Sequence, residues 1–322
     1  MVALRYARLT IPVAFALWVA RIVWTYPVFS LTYTLVGVVH GVIYALIGLG
    51  FATIYRIGRF INFCHGDVFM LGTVAATWIA ARVMVGFVAD SRVGVLAISV
   101  LVAVAVGSGV SLATELLVFR RLRPATAMVP VVASVGLALV LQNIGIKWNG
   151  SGTRKFEPLI EPVDGMSTLA DVLPHVAQSL ALSVPLLAFA VAVLAKTTWG
   201  RSLQAASDDP DGAALMGVDV RRTVLLAFAF AGACAGAAGA AYAQEFHAVG
   251  YGIGMKVGLI AYAAAIIGGV GRTAGTVAGG LLIGVIESIN HLKPAALGSN
   301  WNQTVIFSVM IRSEEHTSEL QS

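Results

Sequence analysis

Apolar runs of roughly 17 to 25 residues recur along almost the whole chain, and a run of about 20 is what an α-helix needs to cross the hydrocarbon core of a bilayer. A helix of that kind satisfies its own backbone hydrogen bonds where no water is present. The runs read as spans at Leu9 to Val28, Tyr33 to Tyr55, Ile61 to Ala81, Val93 to Val118 and Ala127 to Ile146. The second half adds Ser179 to Ala195, Thr223 to Tyr242, Val257 to Val270, Thr273 to Ile289 and an interrupted run from Thr304. The expected fold is an all-α, polytopic transmembrane helix bundle of about 8 to 10 spans with the last one truncated.

Composition agrees. The chain is 58% hydrophobic and 11% charged, against about 25% charged in a soluble domain. The net charge of +5 does not point to nucleic acid, because the basic residues fall between apolar runs. They read instead as topology signals: short loops rich in Lys and Arg stay cytoplasmic. With the amino terminus inside, twelve basic residues are cytoplasmic, Arg5, Arg8, Arg56, Arg59, Arg120, Arg121, Arg123, Lys196, Arg201, Arg221, Arg222 and Arg272. Seven are outside: Arg82, Arg92, Lys147, Arg154, Lys155, Lys256 and Lys293. Cys64 and Cys234 lie in apolar surroundings, which suits core packing rather than a disulfide or a thiolate metal site.

Three segments qualify the plain list of spans. Arg5 and Arg8 before Leu9 to Ala20 also fit a signal peptide, although no clear small-x-small site follows. Val257 to Val270 is short and glycine-bounded, so it is either a full span or re-entrant. The connection Lys147 to Gln178, with three prolines and mixed charge, reads as an external loop or short lateral helix. The last eleven residues, Arg312 to Ser322, resemble a translated sequencing adapter and are set aside. That leaves a single transmembrane domain, 1–311, with a cytoplasmic segment at 199–222 and a non-native tail at 312–322.

Glycines four apart, Gly37 and Gly41, Gly232 and Gly236, Gly275 and Gly279, Gly280 and Gly284, predict close helix crossings. In lipid, association rests on packing, and small residues let backbones approach.

Among polar segments the most informative is WGRSLQAASDDPDGAALMGVDVRRT, Trp199 to Thr223, on the cytoplasmic side. Asp208 or Asp209 can cap a helix, Pro210 suits its first position, Asp211 favours its dipole and Gly217 can end it in the left-handed conformation. The helix, about two turns long, carries Ala213, Ala214, Leu215 and Met216, small and apolar where a solvent-facing loop would be polar. Such a surface suits a groove on another protein, the alternative being that it lies on the protein's own membrane face. No G-x-x-x-x-G-K-[ST] motif occurs, and GGVGRT, Gly268 to Thr273, lacks the lysine, so nucleotide binding is not expected here.

The second polar constellation is INFCHGD, Ile61 to Asp67. Asn62, His65 and Asp67 either line a pathway or form an interfacial helix cap in which Asn62 satisfies free amides and Asp67 meets Arg56 or Arg59. A hydrolase reading of His65 and Asp67 lacks a nucleophile at relay spacing. Gln142 and Asn143 in VLQNIG can bond a solute or another helix. Glu115, close before Arg120, is expected to anchor at the interface, and Glu287 also lies near a span end.

At these residues the chain resembles the branched-chain amino acid permease family of ATP-binding-cassette importers, in its LivH-type subunit. Four stretches carry the likeness: Gly41 to Asp67, Ala133 to Asn143, Ser207 to Gly239 and Ala261 to Glu287. The resemblance implies that Asp208, Asp209, Pro210, Ala213, Ala214, Leu215 and Gly217 form the ATPase-coupling segment, in a pattern E-D-P-x-x-A-x-L-x-G-I where this chain has Asp208 and Val218. In the stretch similar to I-N-F-A-H-G-E this chain has Cys64 and Asp67. The implied protein is a multi-pass inner-membrane transport subunit, not an enzyme, moving branched-chain or related amino acids. Its implied partners are a second permease subunit, two ATP-binding subunits and a periplasmic substrate-binding protein, with no cofactor on this chain and ATP and Mg on the partners. Similar permeases carry urea and short amides. A gradient-driven secondary transporter is the other class; it would show repeated halves and buried ion ligands.

Overall fold

A computed structural model describes residues 27–83, 92–122, 126, 128–155, 169–269, 271–290 and 304. The expected first span up to Tyr26, most of the last one, the middle of the Lys147 to Gln178 connection and the tail lie outside the described residues; Pro27 and Val28, read as the end of that first span, open the next helix.

Among the described residues ten helices follow one another: α1 (Pro27–Gly58), α2 (His65–Val83), α3 (Arg92–Leu122), α4 (Met128–Asn149), α5 (Leu169–Lys196), α6 (Thr198–Asp208), α7 (Pro210–Leu215), α8 (Val220–Phe246), α9 (Ile253–Ile267) and α10 (Thr273–Asn290). Two-residue strands β1 (Arg154–Lys155) and β2 (Ala248–Val249) pair antiparallel. The protein is thus a polytopic helical bundle. Among the described residues, α1, α3, α4, α5, α8 and α10 are long and apolar enough to cross a membrane.

The bundle is built around α1 and α8. Their apolar stretches are 83% and 72% buried, against 22% for α3 and 28% each for α4 and α5. The latter three therefore turn wide apolar faces outward, which in water would be a liability and in lipid is the ordinary state. All four predicted glycine pairs lie at helix crossings. A methyl group added at Gly37 or Gly41 would stand 2.7 Å from the Cα of Val285 or Leu281, so α10 packs directly on the α1 backbone. Gly232 and Gly236 of α8 meet Gly107 and Ala103 of α3 in the same way.

Two expectations need correction. α5 starts at Leu169, so that its first ten residues, Leu169 to Gln178, come from what reads as the external connection, and it holds Pro174 and Pro185 inside it; membrane helices tolerate proline when neighbouring groups re-satisfy the freed carbonyls. Glu115 is buried, not interfacial, at 1% exposure. It opens a π turn, Glu115–Phe119, inside α3, and the wider i→i+5 turn advances the helix face by one residue.

Basic residues from the end of α1, from α6 and from the α9–α10 connection come together at one end of the bundle, where Arg56, Arg59, Arg201 and Arg272 share one cavity wall. α6 and α7 lie at this arginine-rich end, on the short connection between α5 and α8.

Candidate functional site: a polar-floored cavity and an exposed capped helix

α1 stops where Arg59 takes a left-handed φ of +56°, and the chain folds back beside the helix it has just left. His65 then sits against Gly50 and edge-on to Phe51, with ring centroids 4.6 Å apart. Gly50 precedes the end of α1 by eight residues, Gly50 to Gly58, so α2 starts roughly 12 Å inside the bundle at 1.5 Å per residue. This return carries INFCHGD from the helix mouth into the interior.

Asp67 and Gln142, predicted separately as pathway residues, meet there: Gln142 Nε2 donates to Asp67 Oδ2 at 3.4 Å. Both line a cavity of about 210 Å³ whose other walls include Phe51, Phe63, Ala138 and Tyr262, with Gly254 and Gly258 of α9. The cavity is therefore apolar with one carboxylate, and the buried Oδ1 of Asp67 accepts no hydrogen bond from the described residues. Gly254 and Gly258 are required by the crossing: a methyl group at Gly258 would stand 2.8 Å from the Cα of Gly66.

The remaining predicted residues are placed apart. His65 is fully buried, and neither ring nitrogen makes a well-formed hydrogen bond. Asn62 is buried and accepts from Cys64 Sγ at 3.0 Å. Asn143 points out of the bundle and donates to Leu139 O of its own helix at 2.8 Å. One residue along a helix is a turn of about 100°, enough to separate it from Gln142. The interfacial-cap alternative is not what forms, since Asp67 turns to Gln142 and Arg59 donates to Ser207 O.

The segment Trp199 to Thr223 forms the capped helix read from its residues. Asp209 caps α7, its carboxylate accepting from Gly212 N at 3.0 Å, and Pro210 takes the first helical position. After Met216 the chain closes with Gly217 N donating to Ala214 O and Val218 N to Ala213 O, both at 3.0 Å, with Gly217 at φ +86°. That pair of bonds is the Schellman closure. It buries Ala213 and leaves Leu215 and Met216 88% and 86% exposed. A capped two-turn helix that holds two large apolar side chains clear of its own protein offers a surface for another one.

One buried polar group was not read from the sequence. Glu245 of α8 lies between two histidines, 3.5 Å from His40 Nε2 of α1 and 3.3 Å from His175 Nε2 of α5, and accepts from Ser179 Oγ at 2.8 Å. Tyr44 donates likewise to the buried Glu287, linking α1 to α10. The available signal was the rule applied to Asp67: an ionisable residue inside an apolar run needs a partner.

The chain is 29% identical over 280 residues, 85% of its length and 89% of the relative's, to the high-affinity branched-chain amino acid transport system permease protein LivH of Salmonella typhimurium. The protein BraD of the same description from Pseudomonas aeruginosa is 28% identical over 85% of this chain and 90% of its own. The autoinducer 2 import system permease protein LsrC of Escherichia coli is 30% identical over 56% of this chain and 48% of its own. No solved structure matches. With residues 33–313 matched by the family described as branched-chain amino acid transport system / permease component, the chain belongs to that family and is an integral inner-membrane permease component.

Proposed function

We propose that the chain is one pathway-forming subunit of an ATP-driven importer that carries branched-chain or related amino acids into the cytoplasm by alternating access. The observation that carries this reading is α7: Asp209, Pro210 and Gly217 fix its two ends, and Leu215 and Met216 stand exposed beyond it. On this reading the arginine-rich end is cytoplasmic, as the distribution of Lys and Arg requires. α7 docks in a groove of an ATP-binding subunit, which holds ATP and Mg. Closure of two such subunits pushes α7, and α6 and α8 pass the displacement to the bundle.

Transport needs no covalent chemistry from this chain. The solute is a zwitterion with an aliphatic side chain, and the cavity has the matching character, an apolar wall over the Asp67 carboxylate. Asp67 receives the ammonium group and Gln142 steadies the carboxylate. Val135, Leu139 and Met255, at the cavity rim, are largely exposed, which suits a pathway completed by a second permease subunit. A periplasmic binding protein delivers the solute at the opposite end. α2 and α9 join the six long helices to give eight crossings among the described residues.

The test is a double substitution. Leu215→Asp with Met216→Asp leaves the chain inserted and lowers uptake by roughly 30-fold, the loss of a contact worth about 2 kcal/mol at a docking centre. Uptake at the wild-type rate overturns the coupling role.

A further inference from the structure

A second cavity, larger than the one over Asp67, has a composition that transport of a zwitterion does not use. It measures about 480 Å³ and opens at the arginine-rich end between α1, α5, α6 and the start of α10. Arg56 enters from α1 and Arg59 from the turn that follows it, Arg201 and Gln204 from α6, and Arg272 from the turn before α10; Asp208 is the one carboxylate in the wall. Four guanidinium groups against one carboxylate leave three positive charges around one space. Among the described residues none of the four forms an ion pair, and Arg59 spends one N–H on Ser207 O.

Guanidinium groups gathered at this density repel one another unless an anion lies between them, and their planar forks match a phosphate. The wall also contains Leu194 and Ala195, in the last turn of α5, and Tyr55 in the last turn of α1. The cavity therefore lies where apolar spans give way to the cytoplasmic surface, at the height of lipid phosphates.

From this we propose that the cavity is a binding site for a phosphate-type oxyanion, supplied by an anionic lipid headgroup or by free phosphate, that ties α1, α6 and the start of α10 together beside the coupling helix. The site depends on the membrane placement of the chain and not on the role of α7, so either can fail alone. Arg201 and Arg272 are exposed, and replacing them removes charge without opening the core.

The experiment uses the full chain in nanodiscs of phosphatidylcholine, with and without phosphatidylglycerol, and titrates inorganic phosphate into the former, reading bound lipid or ion by native mass spectrometry and the unfolding midpoint. Wild-type protein retains phosphatidylglycerol or binds phosphate. Arg201→Gln with Arg272→Gln weakens that binding about tenfold or more, two charge-assisted contacts being removed, while Arg120→Gln with Arg121→Gln, an equal charge loss outside the cavity, leaves it unchanged. Dependence on phosphatidylglycerol alone identifies the lipid as the source, and dependence on phosphate alone the soluble ion; either supports the site. Should the double variant fail to insert, Arg201→Gln alone carries the test with a smaller loss. Dependence on neither anion, or an equal loss in the Arg120/Arg121 control, overturns it.

Discussion

At the scale of single residues, the polar groups inside the bundle sort by their partners. Asp67 lines the apolar cavity with one oxygen on Gln142 and the other buried against Gly254, where it accepts no hydrogen bond from the described residues. Asp67→Asn is predicted to cut uptake by roughly tenfold or more with little change in the unfolding midpoint, and uptake at the wild-type level would return the residue to a structural role. Glu245 is the opposite case, satisfied by His40, His175 and Ser179. Removing one member of a buried charged group strands the others and costs about 3 kcal/mol or more, so Glu245→Ala lowers the unfolding midpoint in detergent markedly. An unshifted midpoint would count against the cluster as a three-helix tie. Asp67 was legible because it stands in a polar heptapeptide. Glu245, His40 and His175 were not: they are separated by 70 residues or more along the chain, and only the packing of α1, α5 and α8 brings them together.

At the scale of elements, what the sequence reveals is what is local to it. The cap, the proline and the left-handed glycine of α7 are each a property of one residue and its immediate neighbours, so the helix could be read position by position. A residue with a side chain at φ +86° carries a penalty of about 1 to 2 kcal/mol. Gly217→Ala should therefore loosen the end of α7 and reduce uptake without affecting membrane insertion, and unchanged uptake would mean that α7 need not be held. Glycine spacing was legible for the same reason, and it separates two neighbours on one helix. A methyl group added at Gly107 would meet the backbone of α8, whereas one added at Gly109 would meet nothing within 4 Å among the described residues outside its own helix. Gly107→Leu is predicted to abolish recovery of folded protein and Gly109→Leu to be tolerated, as judged by size-exclusion profiles in detergent; equal behaviour would refute the α3–α8 crossing. The start of α5 was misread because Pro174 reads as a loop residue where water is the solvent. Within a bundle the neighbouring helices decide otherwise.

For the whole molecule, the apolar runs establish a membrane bundle, but they do not name the energy source. That claim rests on α7 standing clear of the bundle at the arginine-rich end and on the family to which residues 33–313 belong. The direct measurement is uptake of labelled leucine into proteoliposomes that hold this chain with a second permease, two ATP-binding subunits and a loaded binding protein. The account predicts uptake that requires ATP on the side of the ATP-binding subunits and persists when ion gradients are dissipated. Uptake by this chain without ATP, driven by a proton or sodium gradient, would contradict it.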